Sequence, residues 1–122
     1  MTNLNEILDS QTLQVLNVQP VSKFPTTNAW TPDGRQSWVL AEGDNSVIIM
    51  EAQPPFKQLQ RIEVGPGPGN VSFRRDGKYA YVTVGGLNAV AVIDTAKLTV
   101  ETMLPAGRSP SGIVLLNVQP RL

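Results

Sequence analysis

The sequence predicts an all-β fold assembled from four-stranded antiparallel units, and three observations carry that prediction. The first is a repeat. Sliding the chain by 43 residues lays Asp33-Gly34 on Asp76-Gly77, Trp38-Val39 on Tyr81-Val82, Asn45 on Asn88, Val47 on Val90 and Glu51 on Asp94 without a gap. The second is that the apolar residues of each unit fall in runs of strand length bounded by Asp-Gly, Gly and Pro turn signals. The third is ten Gly and ten Pro in 122 residues, which demand frequent turns.

The elements follow in order. Leu4 to Leu8 and Thr12 to Val18 align with the end of a later unit at an offset of 85, so they are expected as a third and fourth strand, C and D, turning at Asp9-Ser10-Gln11. The first full unit places strand A at Asn28 to Thr31, a hairpin turn at Pro32-Asp33-Gly34, strand B at Gln36 to Ala41, strand C at Ser46 to Glu51 and strand D at Gln58 to Val64. Gln53-Pro54-Pro55 marks the C-to-D loop, because adjacent prolines cannot serve a central strand. The second unit repeats the plan at Val71 to Arg74, Tyr79 to Val84, Ala89 to Asp94 and Leu98 to Leu104. A further A strand is expected at Gly112 to Leu116, where the Asp-Gly turn is replaced by Val118-Gln119. The pentapeptide LNVQP stands at both Leu16 to Pro20 and Leu116 to Pro120, a spacing of 100 that the repeat does not explain.

Four short strands in 42 to 43 residues describe one blade of a β-propeller. The expected architecture is a partial β-propeller in one domain: a C-D pair in residues 1–24, full blades in 25–67 and 68–109, and an A strand in 110–122. The run P-x-x-V-x-F-x-x-D-G-K-x-x-Y-V-T-V is carried by Pro68, Val71, Phe73, Asp76 to Lys78 and Tyr81 to Val84, and N-x-V-x-V-I-D-T by Asn88 to Thr95. Together they resemble the YVTN-type (YncE-like) propeller repeat family. The likeness covers nearly the whole chain and is weaker in the first unit, where Trp38-Val39-Leu40-Ala41 stands for Tyr-Val-Thr-Val. The resemblance implies radially arranged blades with strand A lining a channel. It also implies a ligand face made by the D-to-A and B-to-C loops. It chooses no reaction, since such relatives include periplasmic and surface proteins, lactonase-like enzymes and propeller domains of oxidoreductases.

Closed propellers typically need about four to eight blades, so this many strands are expected to complete a ring by self-association, most simply as a dimer of about six blades. A bare blade face of roughly 400 Å² forfeits about 10 kcal/mol at about 25 cal/mol per Å². Charge and composition narrow the partners. Ten basic and ten acidic side chains cancel, and the basic ones are scattered apart from Arg74-Arg75, which leaves no electrostatic footprint for nucleic acid. No apolar run reaches the ~20 residues of a membrane span. The first residues lack a secretory signal pattern, whereas the resemblance implies a periplasmic or secreted protein, so the compartment stays open.

With no histidine and no cysteine, Ser-His-Asp and Cys-His catalysis, histidine-bound zinc or haem and covalent haem attachment have no residues in this chain. No cofactor is expected. The remaining chemistry is that of carboxylates, of oxygen ligands for hard cations and of hydrogen bonding. Glu42, Asp44 and Asn45 surround Gly43 in the first B-to-C loop, where two readings compete: oxygen donors for calcium, or a solvated turn held by the asparagine. The equivalent loop, Gly85-Gly86-Leu87-Asn88, has no carboxylate and favours the turn. Asn70 and Arg108 lie in the two D-to-A crossovers and complete the candidate ligand residues. Gly65 to Asn70 is glycine-rich, but it lacks the lysine and the strand-to-helix setting of a phosphate loop. Trp30, Trp38, Phe73, Tyr79 and Tyr81 are expected to pack between blades. Two functions fit: a non-enzymatic scaffold or binding module, or a piece or subunit of a propeller enzyme.

Overall fold

A computed structural model describes residues 4–8, 10–20, 25–108 and 110. Ten strands are present among them: β1 (Leu4–Leu8), β2 (Val15–Pro20), β3 (Pro25–Trp30), β4 (Gln36–Ala41), β5 (Ser46–Glu51), β6 (Gln58–Glu63), β7 (Pro68–Phe73), β8 (Tyr79–Val84), β9 (Ala89–Asp94) and β10 (Thr99–Pro105). They form a hairpin, β1-β2, and two four-stranded antiparallel meanders, β3-β4-β5-β6 and β7-β8-β9-β10. The A strand expected at Gly112 to Leu116 lies outside the described residues, as does Asp9.

The B and C strands occupy the predicted residues. The A strands start earlier, at Pro25 and Pro68, for a reason the turn signals conceal. Each opens with a proline, which has no N–H to lose from a ladder, and reaches strand B across a register shift: Pro25 opposes Ala41 before Thr27 opposes Leu40, and Pro68 opposes Val84 before Val71 opposes Val82. Of the D strands, β6 ends one residue early, at Glu63, β10 is shifted one residue on at both ends, to Thr99–Pro105, and β2 begins at Val15, after Leu13 takes a left-handed φ of 60°.

The two A-to-B turns are copies of each other. Gly34 and Gly77 adopt φ of +72° and +74°, a region that costs glycine nothing. In both, an aspartate fixes the turn through its side chain: Asp33 Oδ1 accepts the Arg35 N–H at 2.9 Å and Asp76 Oδ1 accepts the Lys78 N–H at 3.0 Å. The B-to-C connections are single 3-10 turns, Glu42–Asp44 and Gly85–Leu87, each ended by a left-handed asparagine, Asn45 or Asn88.

The pleat sorts the side chains into layers. Trp38, Leu40, Val47 and Ile49 of the first sheet are fully buried against Ala80, Val82, Val84, Ala91 and Ile93 of the second. Trp38 meets Phe73 edge to face, with ring centroids 5.1 Å apart. The A strands are tied directly as well, through a 3.0 Å hydrogen bond from Thr27 Oγ1 to the Gly69 carbonyl. On its other side the first sheet buries Val39, Ala41, Ile48 and Met50. The β1-β2 hairpin lies over that side: Ile7 is buried, and Leu4 and Val39 line one small cavity. The layers therefore run hairpin, first sheet, second sheet.

One aromatic departs from expectation. Trp30 is 52% exposed. It stands on the face shared by Ser37 and Met50, toward the hairpin, whereas its equivalent Phe73 stands on the face of Ala80 and finds Trp38. On that side the described residues provide only the two-stranded hairpin, against four strands on the side of Phe73, so the strand that would cover Trp30 is missing from the described chain.

Candidate functional site

The expected ligand face is assembled at one end of the sheets. The Asn45 carbonyl accepts N–H groups from Val64 and Gly65 at 2.9 and 3.2 Å, and the Asn88 carbonyl accepts that of Ala106 at 2.8 Å. The first D-to-A crossover also locks onto the next B-to-C turn, with Gly85 N–H donating to the Gly67 carbonyl and Gly86 N–H to that of Pro66, both at 2.9 Å. At Gly86 this contact leaves no room for a side chain, and the equivalent position of the first loop, Gly43, is glycine too. A Cβ on Gly86 would come within 2.8 Å of the Pro66 carbonyl oxygen.

Glu42, Asp44 and Asn45 share one turn on that end. Glu42 is exposed, and Asp44 is half-buried with Arg61 Nη2 at 3.9 Å from its Oδ1. Arg61 also donates through Nε to Ser46 Oγ at 3.2 Å, which in turn donates to the Asp44 carbonyl at 2.7 Å. The guanidinium thus occupies ground beside Asp44 that a calcium ion would need. Among the described residues no group of three or more His, Cys, Asp or Glu side chains is disposed to hold a metal ion. Asn70 is committed to the backbone, its Oδ1 accepting the Val71 N–H at 2.8 Å and its own N–H donating to Thr83 Oγ1 at 3.0 Å. Arg108 is exposed after β10 and forms no ion pair among the described residues.

The opposite end holds the larger cavity, a cleft of about 490 Å³ between the two A-to-B turns. Arg35 and Gln36 line it from the first sheet, Arg75 and Thr95 from the second, with Asp33 and Asp76 at the turns. Both aspartates are spent on internal contacts. Asp33 takes the Thr31 hydroxyl at 2.6 Å besides the Arg35 N–H, and these bonds, with the nearby Arg35 charge, hold its carboxyl below the usual range. Arg74 forks onto Asp76 with contacts of 2.6 to 3.0 Å, and this pairing first, then the Lys78 N–H, brings the Asp76 pKa down to about 2. Sequence reading assigned these aspartates to turns, which is their role, and missed the cleft. The signal for it was an arginine flanking the same Asp-Gly pair in both units.

No family model matches the chain, and no curated protein matches it. Solved structures do. The chain is similar to Kuenenia stuttgartiensis hydrazine synthase, with 28% identity and a TM-score of 0.83 over 89% of this chain and 32% of that one. It is also similar to the β-propeller domain of Cps50 (Swd1) from Myceliophteria thermophila, at 16% identity and a TM-score of 0.70 over 88% of this chain and 36% of that one. The fold is that of a partial β-propeller. A Bacteroides uniformis propeller provisionally named a 6-phosphogluconolactonase matches at 17% identity and a TM-score of 0.75, over 93% of this chain and 38% of that one. The chain spans about a third of the length of each of these structures. The two meanders are its blades, and the β1-β2 hairpin stands beside the first of them.

Proposed function

We propose that the chain is a YVTN-type propeller module with a non-enzymatic scaffold or binding role, and that it completes its ring with a second copy of itself. The observation that carries this reading is the outer face of the second blade. The strand pairing sets Tyr81 beside Val92 and Thr83 beside Val90, with Leu104 opposite Val90. These positions repeat Trp38, Ile49, Leu40 and Val47, which the first blade buries completely. Among the described residues no sheet covers them: Leu104 is 45% exposed and Tyr81 and Val90 are half-buried, although Thr83 and Val92 are buried.

A second copy is the occupant because the chain offers the complementary surface. The hairpin exposes Leu8, Val15 and Leu16. Its C-D pair is also the half-blade that would follow the second blade in a ring. In this reading residues 1–24 and 110–122 of two chains build composite blades around the full blades of 25–67 and 68–109. The B-to-C and D-to-A rim, with Glu42, Asp44, Asn45, Asn70 and Arg108, is then the docking face for a ligand or partner.

Light scattering coupled to size exclusion tests the assembly. A species of twice 13.2 kDa, stable on dilution, supports it, and a monodisperse monomer overturns it. The likeness to hydrazine synthase across 89% of the chain favours one second reading, a subunit or piece of a propeller enzyme. Any histidine or cysteine chemistry in such an enzyme would have to come from outside this sequence. Calcium-dependent thermal stabilisation that disappears in Glu42→Gln and Asp44→Asn supports that reading, and indifference to divalent ions leaves the scaffold role standing.

A further inference from the structure

The cleft between the A-to-B turns lies at the end of the blades away from the rim, and its hydrogen-bonding capacity is lopsided. Three of its four carboxylate oxygens are taken. Asp33 Oδ1 receives two hydrogen bonds, both oxygens of Asp76 receive Arg74, and the Gly77 carbonyl receives the Thr95 hydroxyl. Its donors are not. The Gln36 amide oxygen accepts the Trp38 indole N–H at 3.1 Å, which leaves the Gln36 amide NH₂ to face outward as a donor. Among the described residues neither Arg35 nor Arg75 forms an ion pair, and both are exposed. With Arg74 neutralising Asp76 and Arg35 standing near Asp33, the cleft keeps one guanidinium charge in excess.

We infer that this cleft binds a small carboxylate- or phosphate-bearing molecule, gripped between Arg35 of one blade and Arg75 of the next with the Gln36 amide as a third donor. Guanidinium forks suit both oxyanions, since each presents paired oxygens to two parallel N–H groups. A volume of about 490 Å³ suits a metabolite of sugar-phosphate or tricarboxylate size rather than a bare ion. The anchoring arginines come from different blades, so the ligand would bridge the inter-blade seam and strengthen it by binding only the folded state. The site is independent of how the ring is completed.

Calorimetric titration of the full chain with inorganic phosphate, citrate, glucose 6-phosphate and neutral glucose tests the inference. Saturable binding of citrate or glucose 6-phosphate, absent for glucose and weakened by 0.5 M NaCl, is the expected result. Citrate alone identifies a carboxylate site, and glucose 6-phosphate with phosphate identifies a phosphate site. Arg75→Gln and Arg35→Gln should each weaken binding by about tenfold, as for loss of one charge-assisted contact. Lys57→Gln, which does not line the cleft, should leave it unchanged. Both arginines are exposed, so the variants should fold, and circular dichroism checks this. Failure of every anion to bind, or affinity as high as that of the unmodified chain in both arginine variants, overturns the site.

Discussion

The same four positions meet opposite fates in the two blades. In the first, Trp38, Leu40, Val47 and Ile49 are sealed against a neighbour. In the second, Tyr81, Thr83, Val90 and Val92 occupy the same register with no neighbouring sheet among the described residues; Tyr81 and Val90 are half-buried, whereas Thr83 and Val92 are buried. The residue types follow the setting. Two of the four aliphatic or indole groups are replaced by hydroxyl-bearing ones of similar shape, and Thr83 uses its hydroxyl to hold the Asn70 N–H. On this face only the Tyr81 hydroxyl is left for water, since the Thr83 hydroxyl is buried and bonded within its own blade.

The comparison can be broken most forcefully at Trp38. Trp38→Ala removes a fully buried indole and its edge contact with Phe73, and chemical denaturation should register a loss of about 3–5 kcal/mol. The equivalent Tyr81→Ala should cost less than half of that at dilute concentration, and its effect should grow with concentration if this face joins two chains. An equal loss from both at every concentration would mean that the faces are energetically alike. Next in size is Gly86→Ala, whose Cβ would meet Pro66 atoms at 2.7 to 2.9 Å. Separating the crossover from the B-to-C turn should cost about 1–3 kcal/mol by thermal or urea unfolding. Val90→Lys should leave the unfolding midpoint of the monomer nearly unchanged yet abolish a dimer peak in light scattering.

The smallest effect is one of pH. Asp76 titrates near 2 in the fold against 3.8 unperturbed, so the folded chain binds the proton more weakly than the unfolded one. Its contribution is present above about pH 4 and is lost as pH falls toward 2. The group is solvent-exposed, so the loss is slight, and Asp76→Asn should flatten this part of the stability profile. A steeper acid limb in that variant would contradict the assignment.

The strands B and C were legible because their alternation is bounded by glycine turns, and the meander order followed from the repeat. Strand A was misjudged at its start because Pro25 and Pro68 read as breakers, although each sits where a ladder lacks nothing by losing an N–H. The rim residues were legible as a loop cluster. Their pairing was not, since Arg61 reaches Asp44 from a strand 17 residues on. The cleft was invisible for the same reason, because it exists only where turns from two repeats face each other. Trp30 was read as buried by analogy with Phe73, which holds only when a whole blade stands before it.

The two tryptophans provide an optical readout of assembly. Trp38 is sealed and Trp30 lies half in water, so emission from the free chain should contain a blue component that resists acrylamide and a red one that is readily quenched. A partner that supplies a strand B beside the β1-β2 hairpin would move the Trp30 indole from solvent into a blade interface and merge the two components. A single cuvette could then follow assembly in real time, with Trp30→Phe as the blank.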